Sequence, residues 1–94
     1  MDKIMEKTNN IIIYSKENCK YCTMSKNLLK DIKLNFAEIK LDPIENDYKQ
    51  RRDLLFTKYH ESFPIILIND IFIGGYSELY KLYVSGELVD DESF

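Results

Sequence analysis

Ninety-four residues with 45% apolar content suffice for one domain with a modest core and argue against wholesale disorder. A net charge of −3 provides no basic stripe to displace counterions from phosphates, so a nucleic-acid binder is not expected. No apolar run exceeds four residues, far short of the ~20 that a membrane helix needs, so no membrane partner is expected either.

Residues 1–10 are polar and mixed in charge and read as an N-terminal extension to residue 9. They hold no apolar targeting segment, and the chain's last residues hold no lipidation signal. A cytoplasmic, reducing setting is therefore the expectation. In such a setting a Cys-x-x-Cys pair points to catalysis or metal binding before it points to a structural disulfide.

Ile11-Ile12-Ile13-Tyr14 reads as a short buried strand. From Cys19 to about Leu34 the pattern is helical: Cys22, Ser25, Leu28, Leu29 and Ile32 form one stripe, with Lys26, Lys30 and Lys33 on a solvated face opposite. Residues 36–41 alternate apolar and polar as a second strand, which Asp42-Pro43 ends. A second helix is predicted from Asn46 or Asp47 to Tyr59, with Asn46 as candidate cap. Ile65-Ile66-Leu67-Ile68 is apolar throughout, as in a strand buried on both faces. Asn69-Asp70 then turns the chain into an antiparallel return, Ile71-Phe72-Ile73. Gly74-Gly75 breaks the strand, and Ser77 is the candidate cap of a last helix that points Leu79, Leu82 and Tyr83 inward and stops near Gly86.

The resulting order, β-α-β-α-β-β-α, predicts an α/β fold: a four-stranded mixed sheet flanked by about three helices. One domain spans residues 1–94, with 87–94 as a C-terminal tail.

Cys19 and Cys22 are the only cysteines, one helical turn apart at a helix start. Their sulfurs share a face and can meet in a small disulfide ring. The first sulfur also faces unpaired backbone N–H groups and the positive end of the helix dipole, which favours the thiolate. This is a redox pattern. A zinc clip needs about four ligands, and His60, otherwise a surface residue, is the one further soft candidate.

The segment from Tyr14 to Cys22, Tyr-Ser-Lys-Glu-Asn-Cys-Lys-Tyr-Cys, resembles the active-site segment of the glutaredoxins. Ser62-Phe63-Pro64 is similar to that family's Thr-Val-Pro, and Gly74-Gly75-Tyr76-Ser77-Glu78-Leu79 to the segment that opens its last helix. The three matches stand in the family's order and cover about residues 10–86. The resemblance implies a thioredoxin-like fold, and glutathione as co-substrate and partner, together with glutathionylated or disulfide-bonded proteins. It implies Cys19 as nucleophile and Cys22 as resolving thiol, in a monomer that needs no metal.

It further implies a cis bond before Pro64, with the backbone of Phe63 pairing with the peptide part of glutathione. Lys16 and Tyr21 would lie at the glycyl carboxylate. Arg51, thirteen residues before Pro64, would join them, or Arg52 if the spacing shifts by one. The γ-glutamyl carboxylate would meet the N–H groups of Tyr76 and Ser77 and the Ser77 hydroxyl. Tyr80 and Tyr83 are assigned to core and surface without chemistry.

Two departures stand out. Lys20 follows the first cysteine where proline is frequent, and Tyr76 replaces a frequent extra cysteine. The first keeps open an alternative of another class, a dimer that carries a glutathione-ligated [2Fe–2S] cluster. A thioredoxin-like activity without glutathione is a third reading, but the Trp-Cys-Gly-Pro-Cys typical of thioredoxins is missing and the chain has no tryptophan.

Overall fold

A computed structural model describes residues 10–88. Its elements run β1 (Ile11–Lys16), α1 (Lys20–Asp31), β2 (Ala37–Leu41), α2 (Tyr48–Lys58), β3 (Ile65–Ile68), β4 (Ile71–Gly74) and α3 (Tyr76–Val84). The sheet order is β2-β1-β3-β4. The α1 crossover makes β1 and β2 parallel, whereas β3 runs antiparallel to β1 and to β4. This is the mixed sheet expected from the order of elements, in the thioredoxin-like fold that the resemblance implies.

Alternation along β1 separates two layers. Ile11 and Ile13 point into a core with Leu29 of α1, Leu79 of α3, Ile66 and Leu34. Ile13, Leu29 and Leu79 are wholly buried; removing such a side chain from water contributes roughly 1.5–3 kcal/mol. On the other face, Tyr14 stacks on Tyr59 at the end of α2, with ring centroids 6.5 Å apart, and Tyr59 packs on Phe72 at 5.0 Å. The α2 helix buries no side chain completely. It is held through this aromatic layer.

Turns and caps show where local chemistry sets the boundaries. Asn69 and Asp70 both take positive φ, 52° and 69°, as a two-residue hairpin turn of the primed type requires. The β3–β4 register slips between Ile66 and Leu67, and this bulge lies next to the turn into α3. The α1 helix ends at Asp31, three residues before Leu34, because Lys33 enters the left-handed region at φ 63°. Its N–H bonds Lys30 O, and Leu34 N–H bonds Leu29 O, which closes the helix in a Schellman motif. Gly86, at φ 81°, ends α3 in the same way.

Several sequence expectations change. The residue capping α2 is Asp47, not Asn46, and its side chain makes no capping bond. The N-cap of α3 is Gly75, so Ser77 lies inside the first turn. Tyr83 is exposed instead of inward: its ring lies against Tyr80, while Leu79 and Leu82 pack on the core. The cation Lys26 is not simply solvated: its ammonium lies 2.8 Å from Glu38, whose same carboxylate oxygen accepts from buried Ser15. Leu88, within the expected tail, is buried against the core. The expected extension at 1–9 and the rest of the tail, 89–94, lie outside the described residues.

Candidate active site

β1 delivers the chain to the C-terminal edge of the sheet, where Asn18 adopts φ 54°, a conformation asparagine tolerates better than most residues. Cys19 follows as the N-cap of α1, with extended φ and ψ of −117° and 105°. Its sulfur takes the part usually played by a serine or aspartate oxygen and accepts the backbone N–H of Cys22 at 3.2 Å. The Cys19 carbonyl accepts from Thr23 N–H at 3.1 Å.

The two cysteines form a disulfide in the structure. Cys22 is 1% exposed, on the buried stripe beside Ser25, whose hydroxyl donates to Tyr21 O. Cys19 is half-buried. Of the two sulfur-bearing residues, Cys19 is the more accessible.

One cavity is lined by both cysteines and a second by Tyr21 between them in sequence. The first, of about 460 Å³, is lined by Lys16, Glu17, Asn18, Cys19, Lys20, Cys22, Thr23, Lys26 and Lys40. Lys26 and Lys40 are engaged by Glu38 and Glu17. Lys16 and Lys20 have no carboxylate partner among the described residues, and Lys20 reaches over the Tyr21 ring at 5.7 Å. Their charges stay available to an anion beside Cys19.

The other cavity, a groove of about 330 Å³, is lined by Tyr21, His60, Ser62, Phe63, Pro64, Gly75, Tyr76, Ser77 and Glu78. One wall is the Phe63–Pro64 peptide bond, which is cis. The opposite wall is the first turn of α3. The two walls come so close that a Cβ on Gly75 would stand 3.3 Å from Pro64 O, so the backbone there approaches as only glycine allows without displacement. Glu78 folds back so that its Oε1 accepts Gly75 N–H at 2.8 Å, half of a capping box whose other half glycine cannot supply. That bond holds the Glu78 carboxyl below the usual carboxylate range.

Of the residues expected from sequence, Tyr21, Phe63, Pro64, Tyr76 and Ser77 meet in this groove. Lys16 lies with Cys19 in the first cavity. Arg51 lines neither; its guanidinium is 3.4 Å from Glu45. Arg52 lies over Phe56, which in turn packs on Phe63.

Four groove residues are additional to those expected: His60, Ser62, Gly75 and Glu78. Glu78 follows Gly75 by three positions, a capping spacing that would have signalled it. His60 is a surface residue in the sequence expectation but is half-buried in the groove wall. It contacts Phe72 edge-on, and its Nε2 lies 3.2 Å from Pro64 O. Since a carbonyl only accepts, that nitrogen carries the proton. Nothing in the local sequence pattern marks this role.

A sulfur-capped helix facing a cis-proline groove accords with the comparisons. The glutaredoxin family model matches residues 11–73. The chain belongs to the glutaredoxin family. It is 36% identical over 92 residues to bovine mitochondrial glutaredoxin-2, covering 95% of this chain and 58% of that one. It is 34% identical to Escherichia coli glutaredoxin 3, covering 84% of this chain and 92% of that one. The chain thus spans somewhat more than half of the bovine glutaredoxin and nearly all of the bacterial one. In fold it is similar to buckwheat glutaredoxin, solved as a complex with glutathione, at a TM-score of 0.76 and 23% identity, over 93% of this chain and 79% of that one.

Proposed function

We propose that this glutaredoxin is a glutathione-dependent thiol–disulfide oxidoreductase that reduces protein–glutathione mixed disulfides and protein disulfides. The observation that carries the reading is the Cys19 sulfur at the N-cap of α1, hydrogen-bonded by Cys22 N–H, on the helix whose Tyr21 lines the cis-Pro64 groove. A thiolate in that position gains a charge-assisted hydrogen bond and the helix dipole, and Lys16 and Lys20 add their field.

In the reaction, the Cys19 thiolate attacks the glutathione sulfur of a mixed disulfide. The Cys19–glutathione bond forms as the substrate's S–S bond breaks, and the electron pair leaves on the substrate cysteine, which takes a proton from water. A second glutathione thiolate then attacks the glutathione sulfur of that adduct. Oxidised glutathione leaves and the Cys19 thiolate is restored. With a protein disulfide, Cys22 resolves the Cys19–substrate bond, giving the intramolecular disulfide present in the structure.

Glutathione is proposed to lie in the groove with its peptide part along Phe63 and Pro64. Its γ-glutamyl carboxylate faces the N–H groups of Tyr76 and Ser77 and the Ser77 hydroxyl. Those N–H groups lie in the first turn of α3, where no intrahelical acceptor exists. The glycyl carboxylate is assigned to Lys16, Tyr21 and Arg51. The exposed pairing of Arg51 with Glu45 contributes little and leaves the guanidinium available. Buckwheat glutaredoxin's complex with glutathione supports the ligand class.

A monomer in a reducing, cytoplasmic compartment is the accompanying proposal. The runner-up, a dimer bridging a [2Fe–2S] cluster through Cys19 and glutathione, rests on Lys20 in the place of proline.

The experiment is turnover of a small mixed disulfide coupled to glutathione reductase, with thioredoxin reductase in parallel. Turnover with glutathione alone supports the proposal. Turnover with thioredoxin reductase alone contradicts it. A brown, dimeric product of anaerobic reconstitution would move the reading to the cluster carrier.

A further inference from the structure

Four tyrosine rings form an unbroken run that begins between the two cysteines. Tyr21 lies 5.9 Å from Tyr76, Tyr76 lies 6.0 Å from Tyr80, and Tyr80 lies 6.0 Å from Tyr83, centroid to centroid. Positions 76, 80 and 83 share one face of α3. Helical spacing explains why those rings touch. It does not explain why Tyr80 and Tyr83 stay 46% and 41% exposed, with Val84 beside them at 61%. Exposed tyrosines present wide, stiff contact area at small entropic cost and are enriched where proteins meet.

The first two rings line the glutathione groove, whereas Tyr80 and Tyr83 do not. They extend that groove outward along uncharged rings. The cavity that Cys19 lines is lysine-rich instead. Resting on the oxidoreductase reading, the occupant follows from the chemistry: the polypeptide whose sulfur is exchanged at Cys19 is held at the head of this run while the bond changes. An extended chain covers ~3.3–3.6 Å per residue, so the two 6.0 Å steps beyond the groove, from Tyr76 to Tyr83, match about three or four residues.

We propose that Tyr80 and Tyr83 are a docking strip for the protein substrate, taking an uncharged, extended segment of about three or four residues near its reactive cysteine. Glutathione alone does not reach them.

The test compares wild type with Tyr80→Ala/Tyr83→Ala on two probes. One is the mixed disulfide of glutathione with free cysteine. The other is the mixed disulfide of glutathione with a synthetic peptide whose cysteine is flanked on each side by five uncharged residues, proline and leucine among them. The expected result is a fall of about tenfold in kcat/KM on the peptide, a change within about twofold on the cysteine probe, and recovery with Tyr80→Phe/Tyr83→Phe. Tyr83→Ala alone supplies the same comparison with less disturbance of α3. An equal loss on both probes assigns the rings to helix stability or to the glutathione site and overturns the strip. No loss on the peptide overturns it as well. A wild type inactive on both probes overturns the oxidoreductase reading and the strip with it.

Discussion

The backbone N–H of Cys22 points at the sulfur of Cys19 from 3.2 Å, so the second cysteine meets the first through its main chain as well as through the disulfide. The two contributions separate by mutation. Cys22→Ser removes the resolving thiol and keeps the N–H, and most turnover of a small glutathione mixed disulfide is expected to persist. Cys19→Ser removes the attacking atom, and turnover is expected to fall to the uncatalysed background. Equal loss in the two variants, measured by the glutathione-coupled assay, contradicts the division of roles.

Gly75 holds the two walls of the groove together. Alanine there would meet Pro64 O at 3.3 Å and His60 at 3.5 Å, and the backbone carbonyl yields less readily than a flexible side chain. Gly75→Ala is expected to destabilise by about 1–3 kcal/mol and to raise the KM for glutathione more than it lowers kcat. Urea unfolding and initial rates with varied glutathione measure both. An unchanged KM would show that the wall is not part of the ligand site.

The Lys26–Glu38–Ser15 cluster ties α1 to the first two strands just below the active-site turn. The Lys26 ammonium, and then the Ser15 hydroxyl, holds the Glu38 carboxyl below its ordinary value. The depressed value means that the unfolded chain binds this proton more readily. The stabilisation is therefore complete above the ordinary carboxylate range and is lost as pH falls through it to the folded-state value. Urea midpoints measured from pH 7 down to pH 3 are expected to fall in wild type and to fall less in Glu38→Gln. Parallel curves would remove Glu38 from the account.

Lys33 ends α1 in a left-handed conformation that glycine adopts without strain. Lys33→Gly is expected to raise stability by about 1 kcal/mol, the relief of left-handed backbone less glycine's extra entropy cost, and to leave turnover unchanged, because residue 33 lies at the far end of α1 from Cys19. Thermal unfolding reads the first and the coupled assay the second. A lower Tm would mean that the lysine side chain contributes more than its backbone costs.

Residues whose role follows from the main chain were legible in the sequence. Ile65 to Ile68 had to be an inner strand, Asn69-Asp70 a tight turn, and Cys19 the head of a helix, because apolar runs, turn pairs and i, i+3 spacing act locally. Pro64, Tyr76 and Ser77 were legible through the family's motifs. His60 and the Lys26–Glu38 pair were not, since each depends on a partner that only the folded sheet brings near. Ser77 was mistaken for a cap because serine favours that position, whereas the close approach to Pro64 reserves it for Gly75.

The proposed chemistry requires the Cys19 sulfur to be an anion at neutral pH and the Pro64 groove to take glutathione. The alkylation rate of Cys19 across pH in the Cys22→Ser variant, with and without S-methylglutathione, tests both parts at once. The expected midpoint lies well below the ~8.5 of an ordinary thiol, with alkylation slowed by the analogue. A midpoint at the ordinary value, with no slowing, contradicts the account.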